Sequence, residues 1–206
     1  MELLEPSELN LTSTIFKSSV RTLCITSANR GEGVTTGAIS LAGALSTLVQ
    51  GKVILVDGNW ANPDLSKHFK LQDRPGVAEL LDGNFNEFSE RIHSDKALAF
   101  DVLPAGGKTP EKRNVWNEES WPGLLNELSA IYQYVVIDVG AVHSNPDSIV
   151  LARACDGTAM VVQSEATRWE VAVVAKDKLI SAGINIVGAI FNRRKFYMPK
   201  WIYNLL

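Results

Sequence analysis

Long apolar runs are missing from this chain. No stretch approaches the ~18 residues that a membrane-crossing helix requires, and no signal peptide is visible. The expectation is a cytoplasmic protein whose contact with a membrane, if it has any, is peripheral or made through a partner. Cysteine is scarce as well. Cys24 and Cys155 both sit in apolar contexts and read as buried thiols rather than as a disulfide. The three histidines, His68, His93 and His143, have no ligand-like spacing, which argues against a metal centre built on them. Neither Ser27 nor Ser144 has a paired histidine and aspartate in view, so nucleophilic hydrolysis is unsupported. There is no excess of positive charge: 20 basic residues face 23 acidic ones, for a net charge of −3. That balance excludes a dedicated nucleic-acid binder. Repeats and low-complexity segments are absent too, and 206 residues suit one domain with a sizeable core.

What is present is an alternation of short apolar runs and amphipathic segments. Strands are expected at Leu23–Ile25, Lys52–Val56, Phe100–Leu103, Tyr134–Ile137, Thr158–Val162 and Asn185–Phe191. Helices are expected at Thr35–Val49, with Ile39, Ala42, Leu45 and Val49 along one face, and at Pro122–Ile131, Asp147–Ala154 and Arg168–Ala182. Shorter helical turns fit Pro63–His68 and Gly76–Leu81, while Thr109–Trp121 reads as exposed and mobile. Apolar strands alternating with helices give a three-layer α/β domain with a mostly parallel sheet flanked by helices. Its expected limits are residues 20–192, between an N-terminal arm at 1–19 and a basic, aromatic tail at 193–206. The arm reads equally well as a short helix on the domain or as a mobile extension.

The most informative stretch joins the first strand to the first long helix. Ala28-Asn29-Arg30-Gly31-Glu32-Gly33-Val34-Thr35 has the spacing of a phosphate-binding P-loop, G-x-x-x-x-G-K-[ST], and Thr35 and Thr36 place hydroxyls at its end. Such a loop grips phosphate with backbone N–H groups, with the positive end of the following helix and with a lysine. Here Val34 stands where the lysine belongs. One charge-assisted hydrogen bond contributes about 1.5–3 kcal/mol, so nucleotide affinity should fall by roughly one to two orders of magnitude. Transfer chemistry should fall further, because positioning and charge are nearly all the protein supplies. Arg30 is the nearest cation that could substitute.

Asp57 and Asp138 each close an apolar strand at the carboxyl edge of the sheet, where ligands bind in such folds. With Thr35 they have the chemistry of a Mg2+ site, since this hard cation keeps several waters and takes few protein oxygens. Either aspartate alone could equally cap a loop. Trp60 beside Asp57 reads as a core residue.

The order of these features resembles the bacterial tyrosine kinases of capsule and exopolysaccharide export, a branch of the P-loop proteins that includes the MinD/ParA ATPases. The residues that carry the resemblance are Thr26-Ser27-Ala28 with Gly31-Glu32-Gly33, ILVDGNWANP at 54–63, and Leu103-Pro104-Ala105-Gly106. Ile137-Asp138, Asp147, Asp156-Gly157 and GAIFN at 188–192 complete the pattern. The resemblance implies a nucleotide site at Arg30, Gly31, Glu32, Gly33, Val34, Thr35, Thr36 and Asn192, and Mg2+ at Thr35, Asp57 and Asp138. It also implies an inner-membrane chain-length or export protein as partner.

The departures fall on the positions that would do the chemistry. Asn29 takes the place of the signature lysine of the MinD/ParA branch. Asn59 and Ala61 replace the second aspartate and the arginine of DxDxR, and Gly140-Ala141 replace two prolines. The self-association motif ExxRxxR aligns with Glu5, Glu8 and Leu11, without either arginine, so self-association stays open. The tail holds only Tyr197 and Tyr203 where the kinases carry a tyrosine run. The expectation is a pseudokinase-like member that requires no cofactor and holds ATP or ADP with Mg2+ weakly or not at all. The alternative is an active autokinase or ATPase that uses Arg30. In the tail, Phe196, Tyr197, Lys200, Trp201 and Tyr203 mix aromatic and basic groups as a partner or anionic-membrane contact would, though Trp201 could also pack back on the domain.

Overall fold

The computed structural model describes residues 6–81, 88–107 and 120–193. The predicted tail contacts Phe196, Tyr197, Lys200, Trp201 and Tyr203 lie outside the described residues, as does most of the 109–121 stretch. Six strands, β1 (Thr22–Ser27), β2 (Val53–Asp57), β3 (Asp101–Leu103), β4 (Tyr134–Asp138), β5 (Gly157–Gln163) and β6 (Ile186–Asn192), form one sheet. Its order is β3-β2-β4-β1-β5-β6, and every pairing is parallel. The order reverses at β1, so the carboxyl end of β1 is the switch point where this architecture opens a crevice.

Continuous apolar strands follow from helices on both faces. Leu23 and Ile25 of β1 point to one side, with Leu55 and Val136, against α1 (Pro6–Lys17), α2 (Val34–Leu48) and α3 (Asp64–His68). Cys24, Val56 and Ile137 point to the other, against α4 (Val77–Leu81), α6 (Ser120–Ile131), α7 (Asp147–Arg153) and α8 (Trp169–Ser181). A four-residue turn, α5 (Phe88–Arg91), precedes β3. Helix α1 lies against the domain through the buried Leu11 and Ile15, and Leu11 approaches Gly188 of β6.

Two local expectations change. The buried face of α2 is Ala38, Leu41, Ala42 and Leu45, with Ile39 and Val49 only half covered. Small alanines and glycines and short hydroxyl residues fill much of α2, so its apolar stripe is broad and weakly marked in the sequence. Trp121 is not exposed: it is 2% accessible in the first turn of α6, and its indole N–H donates to the Leu151 carbonyl at 3.4 Å. A large ring with one polar atom gains area and a hydrogen bond between α6 and α7, which outweighs the charged residues before it. Among the described residues no helix is long and apolar enough to cross a membrane.

Candidate functional site

The loop between β1 and α2 holds its shape by glycine geometry and one buried carboxylate. Gly31 and Gly33 have φ of 84° and 95°, the left-handed region that side chains rarely adopt. Glu32 is buried, and its carboxylate accepts the backbone N–H groups of Ala28 (3.0 Å) and Asn29 (3.2 Å), the Asn29 amide (3.3 Å) and the Thr167 hydroxyl (2.8 Å). Glu32 is therefore a strut of the loop. From β6, the Asn192 amide donates to the Glu32 carbonyl at 2.9 Å and packs so closely on Gly33 that a methyl group there would overlap it. The loop is thus clamped by two residues far away in sequence.

Parallel pairing of β2 with β4 sets Asp57 opposite Asp138. Asp57 is fully buried and its carboxylate is already engaged. One oxygen accepts the Asn59 N–H (3.1 Å), and the other accepts the Ser66 N–H (2.9 Å) and hydroxyl (2.6 Å). The same Ser66 hydroxyl accepts the Ala105 N–H at 3.0 Å, so Asp57 anchors α3 and the segment after β3 to the strand end. Burial raises the Asp57 pKa above the ordinary carboxylate value, although the bonds from Ser66 and Asn59 pull it down. Asp138 is 2% accessible and is raised well above that value, by burial first and then by the charge of Asp57. A hydrogen bond from the Thr35 side chain opposes that rise. A carboxylate so placed favours a proton or a cation beside it.

A cleft of about 250 Å3 opens here, lined by Arg30, Gly31, Gly33, Val34, Thr35 and Asp138 among others. Asn59, Asn62, Asp64 and Arg193 form the remaining polar wall. The structure therefore brings together most of the predicted residues. Asp57 stands behind the wall, Thr36 is exposed at the start of α2, Glu32 supports the loop, and Asn192 acts through its amide. Asp64 and Arg193 were not anticipated. Asp64 follows Pro63 in a short helix and pairs with Lys67 at 3.3 Å, which from sequence reads as a surface i,i+3 pair. A Mg2+ ion would fit Thr35 and Asp138, with Asp64 alongside and water or phosphate oxygens completing its shell. Val34 packs against the core beneath α2 while also lining the cleft, so its side chain serves apolar packing. Trp60 is buried in the core and does not line the cleft. A larger groove of about 740 Å3 lies along β5, β6 and α8, but its apolar lining, with Trp169, Val173 and Phe191, offers little to phosphate.

No family model matches the chain. The tyrosine-protein kinase YwqD of Bacillus subtilis is 28% identical over 177 residues, covering 85% of this chain and 73% of that protein. The tyrosine-protein kinase CpsD of Streptococcus agalactiae is likewise 28% identical, over 173 residues, covering 83% of this chain and 74% of that one. Among solved structures, the chimerical protein CapA2B2 superposes with a TM-score of 0.81 at 26% identity, covering 91% of this chain and 81% of that one. The septum site-determining protein MinD of Pyrococcus horikoshii, complexed with Mg-ADP, superposes with a TM-score of 0.67 over 90% of this chain and 77% of that one. At 21% identity that last likeness concerns the fold alone. The homologues of this chain are bacterial tyrosine-protein kinases, and its fold is that of the MinD-like P-loop proteins.

Proposed function

We propose that this chain is a pseudokinase-like module of capsule or exopolysaccharide export. It holds ATP or ADP with Mg2+ weakly or not at all and transfers no phosphoryl group to tyrosine. It acts on the cytoplasmic side by docking on an inner-membrane chain-length or export protein, peripheral to the membrane. Residues Phe196, Tyr197, Lys200, Trp201 and Tyr203 are assigned to that contact. The observation that carries the reading is Val34. In the first turn of α2, where a loop lysine would reach bound phosphate, an isopropyl group is packed on the core. Thr35 and Asp138 in the same cleft remain suited to Mg2+, so what has been lost is the charge opposite the phosphates rather than the fold.

A rival reading is an active autokinase that uses Arg30, and the place of Arg30 in the cleft wall favours it. Incubating the protein with labelled ATP and Mg2+, beside Val34→Lys and Arg30→Ala, separates the two. The scaffold reading expects no phosphotyrosine on the unaltered protein. Robust phosphotyrosine that disappears in Arg30→Ala would replace it with the rival.

A further inference from the structure

Two arginines line the cleft, and they are held differently. Arg30 lies on the exposed rim of the loop, and no described residue holds its guanidinium. Arg193 follows directly after β6, beside the Asn192 that packs on the loop. Its backbone N–H donates to the Asn192 side-chain oxygen at 2.9 Å, while the Asn192 amide is bonded to Glu32 in the loop. Its guanidinium donates to the Gln163 side-chain oxygen at 3.4 Å, at the carboxyl end of β5. Arg193 is exposed like Arg30, but these contacts tie its backbone to the loop clamp on one side and its guanidinium, by a long bond, to the strand beside it on the other.

Arg193 also has φ of 55°, a left-handed conformation that a non-glycine residue rarely adopts. Strain of this kind persists only where the surroundings impose it, and here it turns the chain at the edge of the phosphate cleft. The remaining charged residues in that wall, Asp64 and Asp138, would repel a phosphate in their ionised forms.

We propose that Arg193 supplies the positive charge opposite a bound diphosphate that the loop itself lacks at Val34, reaching it from the end of β6 rather than from the helix. The proposal rests on the reading of this cleft as a weak nucleotide site. A guanidinium donates a planar fork that suits phosphate oxygens, and the backbone tie to Asn192 keeps its Cα beside the loop.

The test is calorimetric titration with Mg-ADP, and separately with inorganic pyrophosphate, of the unaltered protein, Arg193→Gly, Arg193→Lys and Arg30→Ala. Glycine accepts the left-handed φ, so Arg193→Gly removes the charge while leaving the turn relaxed, and its thermal midpoint without ligand should not fall. Affinity for both probes should drop about tenfold or more in Arg193→Gly. It should drop less in Arg193→Lys, and less than about threefold in Arg30→Ala. The difference should shrink as salt is raised, because the contact is ionic and partly exposed. A loss for Mg-ADP alone would place Arg193 on the nucleoside instead and overturn the assignment. Unchanged affinity in Arg193→Gly, or an equal loss in Arg30→Ala, would also overturn it. Absence of binding by the unaltered protein at millimolar probe would overturn it too, while leaving the scaffold reading standing. Phosphotyrosine formation by the unaltered protein would do the reverse.

Discussion

Replacing Asp138 by asparagine should stabilise the fold at neutral pH, although it removes a residue of the cleft. The Asp138 carboxyl is 2% accessible, sits opposite Asp57 across β2 and β4, and has the Thr35 side chain as a hydrogen-bond partner. Keeping one buried carboxylate ionised costs several kcal/mol, and a hydrogen bond to the charged group offsets about 1.5–3 kcal/mol of it. Asparagine presents a carbonyl of the same shape to Thr35 without the charge. The net gain should be about 1–2 kcal/mol, or roughly 2–8 °C in thermal midpoint for a chain of this length. Its pH dependence has a definite sign. Burial raises both Asp138 and Asp57 above the ordinary carboxylate value. Stability from these groups is therefore complete below that value and is lost as pH rises toward their values in the folded protein. The advantage of Asp138→Asn should be smallest in the acid range, below the ordinary carboxylate value, and grow as pH rises toward and past neutrality. Differential scanning calorimetry across that range is the assay. A variant less stable than its parent at neutral pH, with a deficit that shrinks as pH falls, would show that Asp138 is held ionised by partners and would refute this electrostatic account.

Other perturbations probe the frame around the cleft. Gly33→Ala should destabilise by about 1–3 kcal/mol in urea unfolding, since it combines a strained φ with displacement of the Asn192 amide from the Glu32 carbonyl. Ser66→Ala deletes the hydroxyl shared by Asp57 and the Ala105 N–H, and should cost about 1–3 kcal/mol in the same measurement. Ile15→Ala, at a fully buried position of α1, should cost about 2–5 kcal/mol. A cost near zero would mean that α1 contributes nothing to the core.

Most of the sheet was legible in the sequence because helices cover both faces of its centre, so β1, β2 and β4 are buried, largely apolar runs ending in a polar residue at the crevice. The P-loop was legible because its glycines are close together in sequence. The supports of the site were not. Thr167 reaches Glu32 across 135 positions and Asn192 reaches it across 160, and neither pairing leaves a local pattern. Ser66 reads as one polar residue in a short helix, yet the fold turns it into the partner that engages Asp57. Arg193 reads as part of a basic tail, and only the turn at the end of β6 places it in the cleft wall. Helix α5 is too short to carry a periodicity.

The rate of ADP production from ATP and Mg2+ tests the central claim most directly, measured on the unaltered protein beside Asp138→Asn. Any genuine turnover in this cleft needs the cation that Thr35 and Asp138 would hold. The account predicts the same background rate for both proteins. A turnover by the unaltered chain that vanishes in Asp138→Asn would mean that the cleft still performs phosphoryl transfer without a loop lysine, and would contradict it.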